Sequence, residues 1–135
     1  MVIVTATYQG EKHCEVHHGP SGSLVETDAP VDNNGRGERF SPTDLVASAL
    51  GTCALTVMSI VAERDGVSLK GATAQVEKHM VQNPRRIGRL PMTITLPAGI
   101  PHDYRKKLEN TAHTCPVHKS LSADIDSPMH FVYPD

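Results

Sequence analysis

The residues in this chain best placed to do chemistry are two cysteines in two distinctive settings. Cys53 closes the run Phe40-Ser41-Pro42-Thr43-Asp44-Leu45-Val46-Ala47-Ser48-Ala49-Leu50-Gly51-Thr52-Cys53, and Cys115 opens Cys115-Pro116-Val117-His118-Lys119-Ser120-Leu121. A free cysteine deep in an apolar helix behaves as a small hydrophobe, which is one reading of Cys53. Its small neighbours Ala49, Gly51, Thr52 and Ala54 also let another element approach closely. A mid-helix glycine costs about 1 kcal/mol relative to alanine, so Gly51 points to a packing or functional reason. Pro116 fits the first position of a helix, which puts Cys115 at the N-cap. There, unpaired backbone N–H groups and the helix dipole favour a thiolate and lower its pKa, and His118 is near enough to support the same charge. Two packing residues or one redox pair both fit these settings.

Other residue groups compete for a role. Arg36, Glu38 and Arg39 precede the first motif. They are either solvated or supply a guanidinium that lowers a thiol pKa and orients an oxygen-bearing substrate; Arg39 is the better placed, with Phe40 to anchor it. His13, Cys14, His17 and His18 are dense enough to suggest metal. On an extended strand, however, His13 and His17 share one face while Cys14 and His18 share the other, so neither face supplies a zinc ligand set. The run Arg85-Arg86-Ile87-Gly88-Arg89 reads as a solvated basic turn, or as a contact for a second copy or an anion. Cys14 has no assigned role.

The elements that must hold these groups follow from local pattern. Residues 2–8, 13–17 and 23–27 are strand-like, separated by turns at residues 9–12 and 19–22. Residues 28–39 form a loop long enough to suspect function. Ser41-Pro42-Thr43-Asp44 is a helix start, with Ser41 as cap, Pro42 at the first helical position and Asp44 reaching back in a capping box. Residues 45–62 are apolar or small on nearly every face, so this helix should be enclosed rather than lie on a surface. At about 1.5 Å per residue it reaches about 35 Å, and it needs more cover than one protomer supplies, so a homodimer is expected. Gly66 stops it. Residues 67–81 read as one strand, 82–88 as a turn and 92–96 as a strand. A helix opens at Pro101 with Leu108 and Ala112 inward, a short one runs from Pro116 to Leu121, and residues 129–133 form a last strand. Strands, one central helix, then strands and short helices give an α+β class.

Composition narrows the function classes. The 135 residues are 39% hydrophobic and 4% aromatic, without tryptophan, so Val, Leu, Ile, Ala and Met must build the core of one domain, residues 1–135. Thirteen basic against 15 acidic residues give a net charge of −2, which argues against nucleic acid as partner. No run of about 18 apolar residues is evident, which argues against a membrane span. The start lacks a basic region and a long apolar stretch of the signal-peptide kind. A cytoplasmic address is expected, where thiols stay reduced unless they do redox work. Three cysteines read poorly as a disulfide scaffold.

The two cysteine motifs at this separation resemble the OsmC/Ohr family of osmotically inducible and organic hydroperoxide resistance proteins, and the similarity in element order extends over nearly the whole chain. The resemblance implies antiparallel sheets around a long central buried helix in an intertwined homodimer, with two active sites at the subunit interface. It also implies cofactor-free, thiol-dependent reduction of hydroperoxides, with no metal site. Cys53 would attack the peroxide oxygen as a thiolate and become a sulfenic acid; Cys115 would condense with it to a disulfide that an external dithiol reduces. Well-characterised branches pair an arginine from an early strand-turn with a glutamate after the Asn-Pro or Ser-Pro step. Here the early turn offers Gln9, Glu11 and Lys12, and the glutamate position is Thr43, followed by Asp44. Arg39 and Asp44 are the substitutes available, which places the chain nearer the OsmC-like branches than the strict Ohr group. Beside the peroxidase stand two other readings: a small-molecule binding or redox-sensing protein without efficient turnover, and a structural dimer whose cysteines only pack.

Overall fold

The computed structural model describes residues 1–134, which fall into two compact units, the first Met1–Val46 and the second from Ala47 onward. In the first unit, β1 (Val4–Tyr8), β2 (His13–His18) and β3 (Leu24–Asp28) form an antiparallel meander. The expected turn between β1 and β2 holds Gly10, Glu11 and Lys12, all in the left-handed region. Register sets Val4 opposite His18, Ala6 opposite Val16, and Val16 opposite Val25. Paired residues share a face, so one side of the meander carries Val4, Ala6, Tyr8, Cys14, Val16 and Val25, together with His18 and Thr27. The other carries His13, Glu15, Glu26 and Asp28. Much of the apolar side is uncovered in a single chain, with Val4 60% exposed and Val25 44%. The loop that follows holds a 3-10 turn, Val31–Asn33, and closes on itself at Gly35. A Cβ there would lie 1.8 Å from the Ala29 carbonyl oxygen, so no other residue fits.

The long helix α1 (Pro42–Arg64) starts in the first unit and continues through the second. Its capping box forms as the sequence suggests: the Asp44 N–H donates to Ser41 Oγ at 3.0 Å, and the Ser41 N–H donates to Asp44 Oδ2 at 2.9 Å. The expectation of a helix enclosed on all sides does not hold within one chain. Ala47, Leu50, Gly51, Ala54, Met58 and Ala62 form a single buried stripe, while Thr52, Thr56 and Ile60 are exposed. The hydroxyls on the open face turn inward: Thr52, Thr56 and Ser59 donate to the carbonyls of Ser48, Thr52 and Thr56, each at 2.8 Å. The reading that no apolar run reaches membrane length also needs correcting. Over an 18-residue window α1 has a mean hydropathy of 2.0, enough by length and composition to cross a membrane, a property that core helices share. Its serines, threonines and glycine interrupt the apolar run to the eye but lower the average little.

The second unit corrects the strand reading twice. Residues 67–81 do not form one strand: they divide into β4 (Thr73–Val76) and β5 (His79–Val81), which enter different sheets. The basic turn is shorter than expected, residues 82–85, because β6 (Arg86–Arg89) pairs antiparallel with β5, and Arg89 holds Asp126 at 3.0 Å. The other sheet has the order β4-β7-β8, with β7 (Met92–Thr95) antiparallel to β4 but parallel to β8 (Met129–Val132). The sheets are therefore not wholly antiparallel. A parallel pair needs a long crossover, and α2 (His102–Ala112) and α3 (Pro116–Ser120) lie within it. Leu90, Met92, Ile94 and Leu96 are buried together with Leu50, Met58 and Leu108. Tyr104 and Lys107 of α2 both reach Asp65 Oδ2 at 2.6 Å, tying α2 to the end of α1. The class is α+β, as expected.

Candidate active site

Cys53 sits on α1 in the second unit, where the helix is pressed against β4. The reason for Gly51 is visible there: a Cβ on it would lie 3.2 Å from Val76 Cγ2 and 3.5 Å from the Ala74 Cβ. Glycine lets strand and helix close up two residues from the thiol. Cys53 is half-buried, and all three cysteines are free thiols.

Cys115 occupies the N-cap of α3, as its place before Pro116 suggests. Its sulfur accepts the His118 N–H at 3.4 Å. Tight backbone bonds aim it: the Cys115 N–H donates to Ala112 O at 3.3 Å, and the Lys119 N–H to Cys115 O at 3.0 Å. The side chain is fully buried, at 0% exposure. It lies within hydrogen-bonding reach of the Cys53 sulfur, so the fold brings the two sequence-predicted thiols together.

The electrostatics reverse the expectation for Cys115. Burial pushes its pKa up, and the hydrogen bond to Cys53 pushes it further; the backbone N–H groups of His118 and Val117 oppose this without prevailing. The helix terminus acts as the local argument requires, but desolvation of a charged sulfur outweighs it. His118 also departs from expectation. Burial lowers its pKa below 6.5, with further lowering from His113 and Lys119, so the ring is a neutral imidazole at neutral pH. Its help to Cys115 comes through the backbone N–H and not through a ring charge. The ring is instead set by Ser127 Oγ at 3.3 Å from Nδ1 and by an edge contact with His113, which in turn packs on Phe131. Ser127, His113 and Phe131 escaped the sequence reading because nothing in local spacing links them to residue 118.

The other supporting candidates belong to the first unit, and the contacts shown for them lie within it. Arg39 is 54% exposed; its Nε donates to Glu26 Oε2 at 3.4 Å and its Nη1 to the Glu38 carbonyl at 3.2 Å. With Gly37, Glu38, Phe40 and Asp44 it lines an open pocket of about 370 Å³. Asp44 is engaged in the capping box, and Thr43 Oγ1 shares a hydrogen bond with Ser41 Oγ at 3.2 Å. Arg36 reaches Glu11 at 3.1 Å and Asp28 at 4.0 Å.

One cluster in this unit was missed. Asp28, 2% exposed, holds His13 Nδ1 at 2.6 Å, while Glu26 holds His13 Nε2 at 3.2 Å. The Asp28 hydrogen bond raises the His13 pKa above 6.5 more than burial lowers it, and the same bond lowers the Asp28 pKa. With a carboxylate facing each ring nitrogen, the surroundings favour the imidazolium form of His13. The signal was available: pairing strands 13–17 and 23–27 around the turn at 19–22 sets residue 13 against residue 28. Among the described residues no group of three or more His, Cys, Asp or Glu side chains is arranged to hold a metal ion.

Comparison with known proteins adds to this geometry. A family model described as OsmC-like protein matches residues 35–127. A candidate osmotic stress induced and detoxification response protein from Psychrobacter arcticus 273-4 is 40% identical, with a TM-score of 0.92 over 97% of this chain and 96% of that one. An organic hydroperoxide resistance protein OsmC from Legionella pneumophila shares the fold at 18% identity, with a TM-score of 0.79 over 98% and 96% of the two chains. The organic hydroperoxide resistance protein OhrB of Bacillus subtilis does so at 17% identity, with a TM-score of 0.68 over 97% of each. None of the curated protein sequences matches the chain.

Proposed function

Because the chain belongs to the OsmC-like protein family, we propose that it is a thiol-dependent peroxidase that reduces organic hydroperoxides or hydrogen peroxide. The observation that carries this reading is the pair of free thiols, Cys53 and Cys115, within hydrogen-bonding reach of each other on α1 and at the start of α3. Their difference in burial supports the roles that the family resemblance implies. Cys115 is buried and its pKa is raised, whereas Cys53 is half-buried, which favours Cys53 as the thiol that an incoming peroxide reaches. The Cys53 thiolate attacks one peroxide oxygen, the O–O bond breaks, and the alcohol or water leaves with a proton as Cys53 becomes a sulfenic acid. Cys115 then attacks that sulfur, water leaves, and a Cys53–Cys115 disulfide remains for an external dithiol to reduce. This chemistry needs no metal or organic cofactor, and it suits a cytoplasm that keeps the thiols reduced. Fold relatives named organic hydroperoxide resistance proteins support the substrate class.

The working form in this proposal is an intertwined homodimer. The apolar face of the β1–β3 meander and the open stripe of α1, including the 45% exposed Ile60, are surfaces that a second copy would cover. Adding one equivalent of cumene hydroperoxide to the reduced protein should remove two thiols and yield a linked Cys53–Cys115 peptide. Retention of both thiols sinks the proposal. The engagement of Arg39 with Glu26 and of Asp44 with its cap favours a second reading, a redox sensor oxidised once without efficient turnover. Oxidation that no dithiol reverses would select it.

A further inference from the structure

Resting on the peroxidase reading, we propose that His118 and Ser127 are positioning residues for Cys115. The hydrogen bond between their side chains fixes the backbone N–H that faces the Cys115 sulfur, and so sets how fast that sulfur closes on an oxidised Cys53. In that step Cys115 attacks as a thiolate. Its sulfur bonds to Cys53 Sγ, the S–O bond of the sulfenic acid breaks, and hydroxide leaves to take up a proton as water. A charge on a buried sulfur is costly unless hydrogen-bond donors face it. Here the His118 N–H stands 3.4 Å from Cys115 Sγ.

α3 has five residues, and so short a helix does not hold its place without tertiary support. The His118 side chain supplies that support. Its Nδ1 shares a hydrogen bond with Ser127 Oγ at 3.3 Å. Its ring meets the edge of His113 with centroids 6.1 Å apart, and His113 packs in turn on Phe131 of β8. Ser127 is a firm anchor because its neighbours on both sides are bonded to the strands. The Asp126 N–H donates to Gly88 O at 3.0 Å, the Leu90 N–H to Asp126 O at 2.8 Å, and the Met92 N–H to Pro128 O at 2.9 Å. The strands therefore hold Ser127, Ser127 holds the ring, and the ring holds the N–H against the sulfur. The neutral ring adds no charge of its own, so its effect on Cys115 passes through the backbone. The His118 and Val117 N–H groups pull the thiol pKa down, and loosening them leaves burial and Cys53 unopposed. None of these contacts involves α1, whose open face a second copy would cover.

The test compares His118→Ala, His118→Asn and Ser127→Ala in a Cys14→Ser, Cys53→Ser background, where Cys115 is the only cysteine left. Its titration is followed by the ultraviolet absorbance of the thiolate. The midpoint should move to higher pH in both alanine variants. It should return toward the parent value in His118→Asn, whose amide can meet the Ser127 hydroxyl in place of Nδ1. An unmoved midpoint in both alanine variants overturns the proposal. Should His118→Ala fail to fold, Ser127→Ala, which removes a single hydroxyl, decides alone. A second measurement follows disulfide closure in chains that keep Cys53 and Cys115. After one equivalent of cumene hydroperoxide, peroxide loss reads the first step and acid-quenched disulfide reads the second. At neutral pH the second step should slow about fivefold or more relative to the first in Ser127→Ala. Raising the pH should relieve the slowing as Cys115 ionises. Closure at the parent rate, or slowing that persists at every pH, overturns the proposal. A protein that consumes no peroxide while the midpoints move as stated removes the peroxidase reading and leaves the positioning of Cys115 standing.

Discussion

The two units bury different kinds of residue. In Met1–Val46 the buried residues are Thr27, Asp28 and Ser41, all polar, whereas the buried hydrophobic residues, from Ala47 to Cys115, all belong to the second unit. Burial of apolar area is the main favourable contribution to folding, so the second unit holds itself together and the first does not in the same way. Strand pairing, the His13–Asp28–Glu26 cluster and the capping box organise the first unit, and its apolar face awaits cover. Cys53 and Cys115 lie in the unit with the core. Chemistry that depends on a buried cysteine requires packing that excludes water, and only that unit supplies it.

Three experiments press on this contrast. The largest effect is expected from Val4→Asp combined with Val25→Asp, which places charges on the apolar face of the meander. An unpaired charge buried at an interface costs about 3–5 kcal/mol, so sedimentation should show the wild type as a dimer and this variant as a monomer at micromolar concentration. A monomeric wild type would leave the first unit without the cover the contrast demands. Next is Ile94→Ala, a truncation at a fully buried position on β7. It should lower the denaturant-derived stability by about 2–5 kcal/mol; a loss under about 1 kcal/mol would mean that the second unit is less tightly packed than its burial implies.

The smallest effect is in pH dependence. His13 has its pKa raised in the folded state, so its contribution is fully present below its unfolded value near 6.5 and disappears as pH rises through the folded value. Asp28 has its pKa lowered, so its contribution is present above its unfolded value near 3.8 and is lost as pH falls through the folded value. Their joint support is therefore greatest between about pH 4 and 6.5. His13→Gln should flatten the decline of melting temperature from pH 6 toward pH 9; an unchanged profile would show that the cluster does not help to hold the first unit.

The limits of the sequence reading follow the range of the interactions. The capping box of Ser41 and Asp44, the N-cap of Cys115 and the inward Leu108 and Ala112 all depend on residues a few positions apart, and all were legible. The division of residues 67–81 between two sheets was not, because β4 is specified by β7 and β5 by β6. Nor was the parallel pairing of β8. The same distinction separates the right and wrong halves of the Cys115 argument. Its position at a helix start is local and was readable; its pKa depends on what surrounds α3, and that overturned the expected direction. The pairing of Cys53 with Cys115 was suggested by family resemblance, since nothing in the spacing of residues 53 and 115 brings them within reach.

The parallel pairing of β7 with β8 has a consequence for synthesis. β7 leaves the ribosome with β4 available as a neighbour on one side, but its other side stays bare until residues 129–132 have been made. A sheet closed by such a distant strand forms late and leaves apolar side chains open in the meantime. Cys53 emerges well before Cys115, so the nascent chain passes through a period with a thiol on a long apolar helix and no neighbouring sulfur. A Cys53 oxidised in that interval has no second sulfur on α3 with which to close a disulfide.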